Sequence, residues 1–275
     1  MSKLVARAAD KQKKKATQGE WQPLDGNATR LCTMDAYLEL PRAAPEDVGM
    51  SSERLERCRD AARLYVDDGS KPCSAVLIGR CGQIVFEDTY GWSDVESGTA
   101  LKEDAIFRLA SMTKPITAVA GMIAYERGYF QMDDLVEKYL PEFADAQVFV
   151  GGSADDPQLE PAVNMTIKHL FTHTAGLNGG QNEAGKMQAR IMREHGPPKD
   201  LEEYSKLVAK APLLAQPGDL WHYASGLTIL GRCIEVWSGK SFDVFCEEYL
   251  FAPLGMVDTG FKSQRPFPLA SRFFA

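Results

Sequence analysis

Ala110-Ser111-Met112-Thr113-Lys114-Pro115 decides how this chain is read. Pro115 has no backbone N–H to donate and is tolerated only in a first helical turn, so the spacing predicts a helix that begins near Ser111. Ile116 to Ala124 carries no charged residue, and a helix apolar on all sides is normally buried in a core. Ser111 and Lys114 then stand at the N-terminal mouth of a central helix. The helix dipole places partial positive charge there and burial disfavours an ammonium ion, so both effects push Lys114 toward its neutral form. A neutral amine one turn from a hydroxyl can take its proton as a general base, and the helix N-terminus favours a developing oxyanion. These residue types suit serine acyl transfer.

Ser-x-x-Lys alone is a weak signal, because roughly one chance match is expected in a chain of this length and a helix cap followed by an exposed lysine is the usual alternative. Its weight rises with Tyr223-Ala224-Ser225 much later in the chain, which adds a phenol. On its own, Tyr223 beside Trp221 reads more readily as an aromatic core residue with a satisfied hydroxyl. His222 reads either as a loop histidine or as a residue that tunes the site.

The 275 residues are 44% hydrophobic and 25% charged, with a net charge of −7. That composition supports one substantial core or two small ones in a soluble globular protein. The acidic balance gives no reason to expect a nucleic-acid partner, and the apolar runs are too short and interrupted for a membrane span. Met1 to Glu20 holds Lys3, Arg7, Lys11 and Lys13-Lys14-Lys15 but no apolar segment of the secretory kind. With Asp10 and few arginines it reads as a solvated flexible arm rather than a transit peptide, and the expected location is cytoplasmic. Of the six cysteines, Cys32, Cys58, Cys73, Cys81, Cys233 and Cys246, none forms a metal-type C-x-x-C pair, and free thiols fit a reducing compartment.

Residues 1–45 read as a flexible basic leader ending at Pro41 and Pro45. Ser51 or Ser52 is expected to cap a helix buried along Leu55, Cys58, Ala62 and Tyr65, stopped by Asp67-Asp68-Gly69. Ser74 to Gly79 and Ile84 to Tyr90 form a hairpin signal around Arg80-Cys81-Gly82-Gln83. A helical layer follows, with Asp134 to Leu140 closed by Pro141, a segment from Thr166 closed by Gly176, and an Asp200-x-x-Glu203 capping box. Leu227 to Trp237 is helical and ends at Gly239, and a further helix runs from Ser241 to Pro253. Gly151 to Pro161 reads as a long acidic loop.

This order, with Phe107 to Lys114 between hairpin and helical layer and Tyr223-Ala224-Ser225 after it, resembles the serine β-lactamase and penicillin-binding-protein superfamily. The nearer likeness is to its class C branch and the related esterases. Asp134-Leu135-Val136-Glu137-Lys138-Tyr139-Leu140-Pro141-Glu142-Phe143, His169-Leu170-Phe171-Thr172-His173-Thr174-Ala175-Gly176-Leu177 and Phe251-Ala252-Pro253-Leu254-Gly255-Met256 agree with it. The similarity covers Pro45 to Lys262. It implies an α+β fold, an antiparallel sheet packed against a helical layer. It also implies Ser111 as acylated nucleophile, Lys114 as its proton acceptor, and Tyr223 as the phenol that passes a proton to the leaving group. A phenol is a poor base at neutral pH unless a nearby cation lowers its pKa, and Lys114 is the cation at hand. Ser225 stands where the lactamases commonly carry Asn, which assigns it to substrate binding and favours a small ester or amide over an antibiotic.

No cofactor is expected and no metal. His169 and His173 are four residues apart but lack the Glu of a His-Glu-x-x-His hydrolase, so they read as packing histidines at a helix end. The resemblance also implies a Lys-Thr-Gly-like or His-x-Gly-like strand that supplies an oxyanion-hole N–H. Trp237-Ser238-Gly239 is the only formal match and closes a helix instead. Residues 46–262 are therefore expected to form a truncated β-lactamase-related domain holding mainly the first hairpin of its sheet, with 263–275 as a tail outside the family. A helical face left uncovered in such a domain predicts poor solubility or self-association. The expected function is a serine hydrolase of weak or no turnover, acting through an acyl-enzyme on Ser111 with water or another acceptor taking the acyl group. The rival is a non-catalytic scaffold or interaction protein built on the same fold.

Overall fold

A computed structural model describes residues 40–261. Most of the basic leader, and the tail from 263 to 275, lie outside the described residues. The described residues divide into two compact units, one spanning Leu109–Met256 and the other formed by residues 40–108 together with 257–261.

In the second of these units, Ser51 caps α1 (Ser52–Asp67) by accepting from the Arg54 amide at 3.3 Å. The helix lies on an antiparallel three-stranded sheet of β1 (Cys73–Arg80), β2 (Gln83–Asp94) and β3 (Thr99–Ala100), in that order. Cys81 and Gly82, at φ 53° and 71°, form the two-residue turn between β1 and β2, the left-handed pair whose twist suits a tight hairpin. The expected hairpin is present, but β2 runs four residues past Tyr90 and pairs with β3, which the sequence did not suggest.

The buried face of α1 differs from expectation. Leu55 is buried, yet Cys58 and Tyr65 are exposed. In their place Arg59 and Arg63 lean on the sheet and bind the buried carboxylate of Asp88 at 3.2 and 2.6 Å, while their guanidinium groups lie over the rings of Phe86 and Tyr90. Long basic side chains can cover apolar surface with their stems, so a pattern read from apolar residues alone is out of phase.

The Leu109–Met256 unit is built on α2 (Thr113–Glu126), which packs against α3 (Ile167–Thr172) through Phe171 and against α6 (Gly226–Ser238). Gly121 makes this approach possible: a Cβ there would lie 2.6 Å from Phe171 and 3.0 Å from Leu230. The core gathers Ala120, Ala124, Phe130, Leu170, Ile229 and Ile234, and Trp237 stacks on Phe130 at 4.3 Å. Although uncharged from Ile116 to Ala124, α2 is not buried all round. It packs on one side only, and Val119 and Met122 are 47% and 41% exposed.

Three further elements differ from the sequence reading. Asp134 to Leu140 forms only a 3₁₀ turn, Val136–Lys138, because the Asp134 carboxylate accepts from the Gln131 amide, the Tyr139 hydroxyl and the Lys138 ammonium and holds the segment folded back. Gly151 to Pro161 is not a loop but the tip and second strand of a hairpin, β4 (Gln147–Gly152) and β5 (Pro157–Pro161). α4 (Glu183–His195), capped by Asn182, follows and clasps that hairpin tip through Glu183 to the Ala154 amide and Arg190 to Asp155. α5 (Leu201–Ala209) starts at Asp200 as expected, but Glu203 turns to the Lys199 amide rather than completing a capping box. Gly239, at φ 69°, ends α6 as expected, and α7 (Phe242–Cys246) passes through a π-helical turn, Glu247–Phe251, before Pro253. Among the described residues no helix is long and apolar enough to cross a membrane.

Candidate active site

Ser111 sits in a 3₁₀ turn, Ala110–Met112, that feeds α2. The residue before it, Ala110, has φ 46°, a left-handed conformation that costs a non-glycine residue roughly 1–2 kcal/mol and turns the chain sharply ahead of Ser111. From the first turn of α2, the Lys114 Nζ donates to the Ser111 Oγ at 3.5 Å. Tyr223 comes from the loop before α6, more than a hundred residues away, and its ring centre lies 4.5 Å from the Lys114 Nζ. The hydroxyl, the amine and the phenol are thus brought together within one unit of the chain.

The electrostatics of that cluster act on the phenol. Hydrogen bonding with Lys114, and next with Ser111, holds the Tyr223 hydroxyl below the usual tyrosine range, against a smaller opposing effect of burial. A phenol so placed releases its proton more readily than free tyrosine. Tyr223 is 45% exposed and so is no core aromatic.

Ser225 behaves differently. Its backbone carbonyl accepts from the Thr228 and Ile229 amides as α6 begins, while its Oγ is covered by protein and has no hydrogen-bond partner among the described residues. The Nε2 of His222 is likewise covered and without such a partner. The two histidines weighed as a metal pair do separate work. His169 accepts from the Thr166 amide at 3.2 Å in the cap of α3, whereas His173 ends α3 in a left-handed conformation and reaches the Tyr223 loop. Sequence reasoning missed that second role. The sequence reading closed this helix at Gly176, whereas the structure ends it at Thr172 with His173 as the left-handed cap, three residues earlier.

Residues 58–272 match the family model described as Beta-lactamase. The chain belongs to the beta-lactamase family. Among family relatives, Esterase EstB of Burkholderia gladioli is 36% identical over 197 residues, which are 70% of this chain and 48% of EstB. Acyltransferase mokF of Monascus pilosus is 29% identical over 85% of this chain and 60% of its own length. The solved structure described as EstCE1, a hydrolase with promiscuous acyltransferase activity, superposes with a TM-score of 0.62 at 28% identity, covering 73% of this chain and 51% of that one. The fold is therefore the α+β fold of the beta-lactamase and transpeptidase-like group, and the family includes esterases and acyltransferases. The chain spans about half the length of the curated relatives it matches.

Proposed function

We propose that this chain is a serine hydrolase or acyltransferase that forms an acyl-enzyme on Ser111 with a small ester or amide. The observation that carries the reading is the convergence of Lys114 on both Ser111 and Tyr223. In the proposed reaction the Ser111 hydroxyl gives its proton to the Lys114–Tyr223 pair as its Oγ attacks the substrate carbonyl carbon. The tetrahedral oxyanion is stabilised by the Ser111 amide at the start of α2. The bond to the leaving group then breaks, the departing oxygen or nitrogen takes its proton through the Tyr223 hydroxyl, and the acyl group stays on Ser111. Water, or an alcohol or amine, reverses these steps and releases the acid or the new ester or amide.

Ser225, proposed as a substrate contact, needs a side-chain rotation to expose its covered hydroxyl. The proposed setting is the cytoplasm, as the free thiols and the basic leader suggest. A chromogenic short-chain ester, followed in the pre-steady state, tests the reading: a burst equal to the enzyme concentration that vanishes in Ser111→Ala supports it. The absence of any burst from the folded chain refutes it and leaves the scaffold alternative.

A further inference from the structure

Among the described non-glycine residues, Cys81, Ala110 and His173 have positive φ, and two of these three stand at the candidate site. Ala110 precedes the nucleophile. His173, at φ 56° and ψ 34°, has no glycine's freedom yet holds the left-handed end of α3; such strain persists only where surrounding contacts over-determine it. Beyond the helix bond from its amide to the His169 carbonyl, the contacts at His173 lead to one loop. Its carbonyl accepts from the His222 amide at 2.8 Å, its Nδ1 accepts from the Ala224 amide at 3.4 Å, and its ring packs on the Tyr223 ring at 4.8 Å and 35°. The residue on each side of Tyr223 is therefore hydrogen-bonded to His173, and the phenol ring itself lies against the imidazole.

We propose that His173 is the positioning residue for Tyr223, clamping residues 222–224 from both sides so that the phenol stays on Lys114. This rests on the reading of Tyr223 as the proton carrier. The clamp requires a neutral ring, because only an unprotonated Nδ1 can accept from the Ala224 amide, which places the remaining proton on Nε2. The titratable and charged groups facing His173 are Lys114 on α2 and His222 and Tyr223 on the loop. Burial first, then Lys114 and His222, hold the imidazole below the ordinary histidine range, which favours the neutral ring that the clamp needs.

Two substitutions separate clamping from general packing. His173→Gly removes the imidazole and relieves the left-handed backbone, so it does not endanger the fold. His173→Asn tolerates the same backbone and offers its Oδ1 near the position of Nδ1. With a fluorophosphonate probe, the glycine variant is expected to label at Ser111 on the order of ten- to a hundred-fold more slowly, as for a reactive group displaced by about 1 Å, and the asparagine variant close to the wild-type rate. The Tyr223 phenol, titrated by ultraviolet difference with Tyr223→Phe as reference, should move up toward ordinary tyrosine in the glycine variant and stay depressed in the asparagine variant. A glycine variant with unchanged labelling and an unchanged phenol, or an asparagine variant as impaired as glycine, overturns the clamp. A wild-type chain that never labels overturns the catalytic reading instead, while the phenol titration still decides the clamp.

Discussion

Gly176→Ala is expected to be among the most damaging single-methyl changes in this chain. Gly176 has φ 72°, and a Cβ there would lie 2.1 Å from the Ala215 carbonyl oxygen and 3.4 Å from the Leu213 side chain. Its own carbonyl accepts from the Leu214 amide at 2.7 Å. The left-handed conformation costs alanine about 1–2 kcal/mol. Overlap with a backbone oxygen cannot be relieved by a rotamer and adds roughly 1–3 kcal/mol, as in overpacked cores. The Leu214 hydrogen bond, strained by the retreat of either segment, contributes about 1 kcal/mol more. The total, on the order of 3–6 kcal/mol, is a large part of the 5–15 kcal/mol of a typical domain. Gly239→Ala is the matched control, since Gly239 has φ 69° but nothing within 4 Å of its missing Cβ, and it should lose only the left-handed cost of about 1–2 kcal/mol. Guanidinium denaturation followed by circular dichroism reads both. Equal losses in the two variants would show that the Ala215 carbonyl is not the constraint and would refute the reasoning.

Other consequences are open to test. Tyr223→Phe should slow Ser111 acylation by about a hundred- to ten-thousand-fold, as for loss of a general acid–base group, with stability changed by no more than about 0.5 kcal/mol for so exposed a position; stopped-flow ester cleavage and thermal melts check both. Because Lys114 first, and Ser111 next, depress the Tyr223 phenol, the labelling rate should rise with pH at values below ordinary tyrosine ionisation. Lys114→Met should move that rise upward, and an unmoved limb would sink the assignment. The Arg63 hydrogen bond is the foremost cause holding the Asp88 carboxyl below its usual range, so its stabilisation is full above the unfolded aspartate value and is lost as pH falls through the lower folded value. Asp88→Asn should destabilise the Arg59–Arg63–Asp88 cluster by about 1–3 kcal/mol, the buried-pair figure reduced because both arginines are partly exposed, and should flatten the acid limb of urea-unfolding curves.

What could be read in advance was whatever depends on local backbone chemistry. Cys81-Gly82 announced a hairpin turn, Ser51 a helix start, Gly239 a helix stop, and Pro115 fixed where the Ser111 helix begins to within a turn. What could not be read depends on partners distant in sequence. α4 was the exception, missed although Ala184, Met187, Ile191 and Met192 recur at helical spacing behind the Asn182 cap. β5 lies between two prolines with no residue fully buried, so it lacks the alternation of a half-buried strand. Asp88 draws two arginines onto the sheet, which shifted the buried face of α1. At the candidate site, Ser111, Lys114 and Tyr223 were legible as residue types with known chemistry. The strained backbone at Ala110 left no trace in composition, and the link from His173 to the Tyr223 loop joins residues some fifty positions apart.

The central claim is that Ser111 is a nucleophile activated by Lys114 and Tyr223. Intact-protein mass spectrometry after exposure to a fluorophosphonate, with peptide mapping, tests it most directly. One adduct on Ser111, absent from Ser111→Ala and strongly slowed in Lys114→Met, is the predicted result. A folded chain that stays unmodified, or that carries its adduct on another residue, contradicts the account.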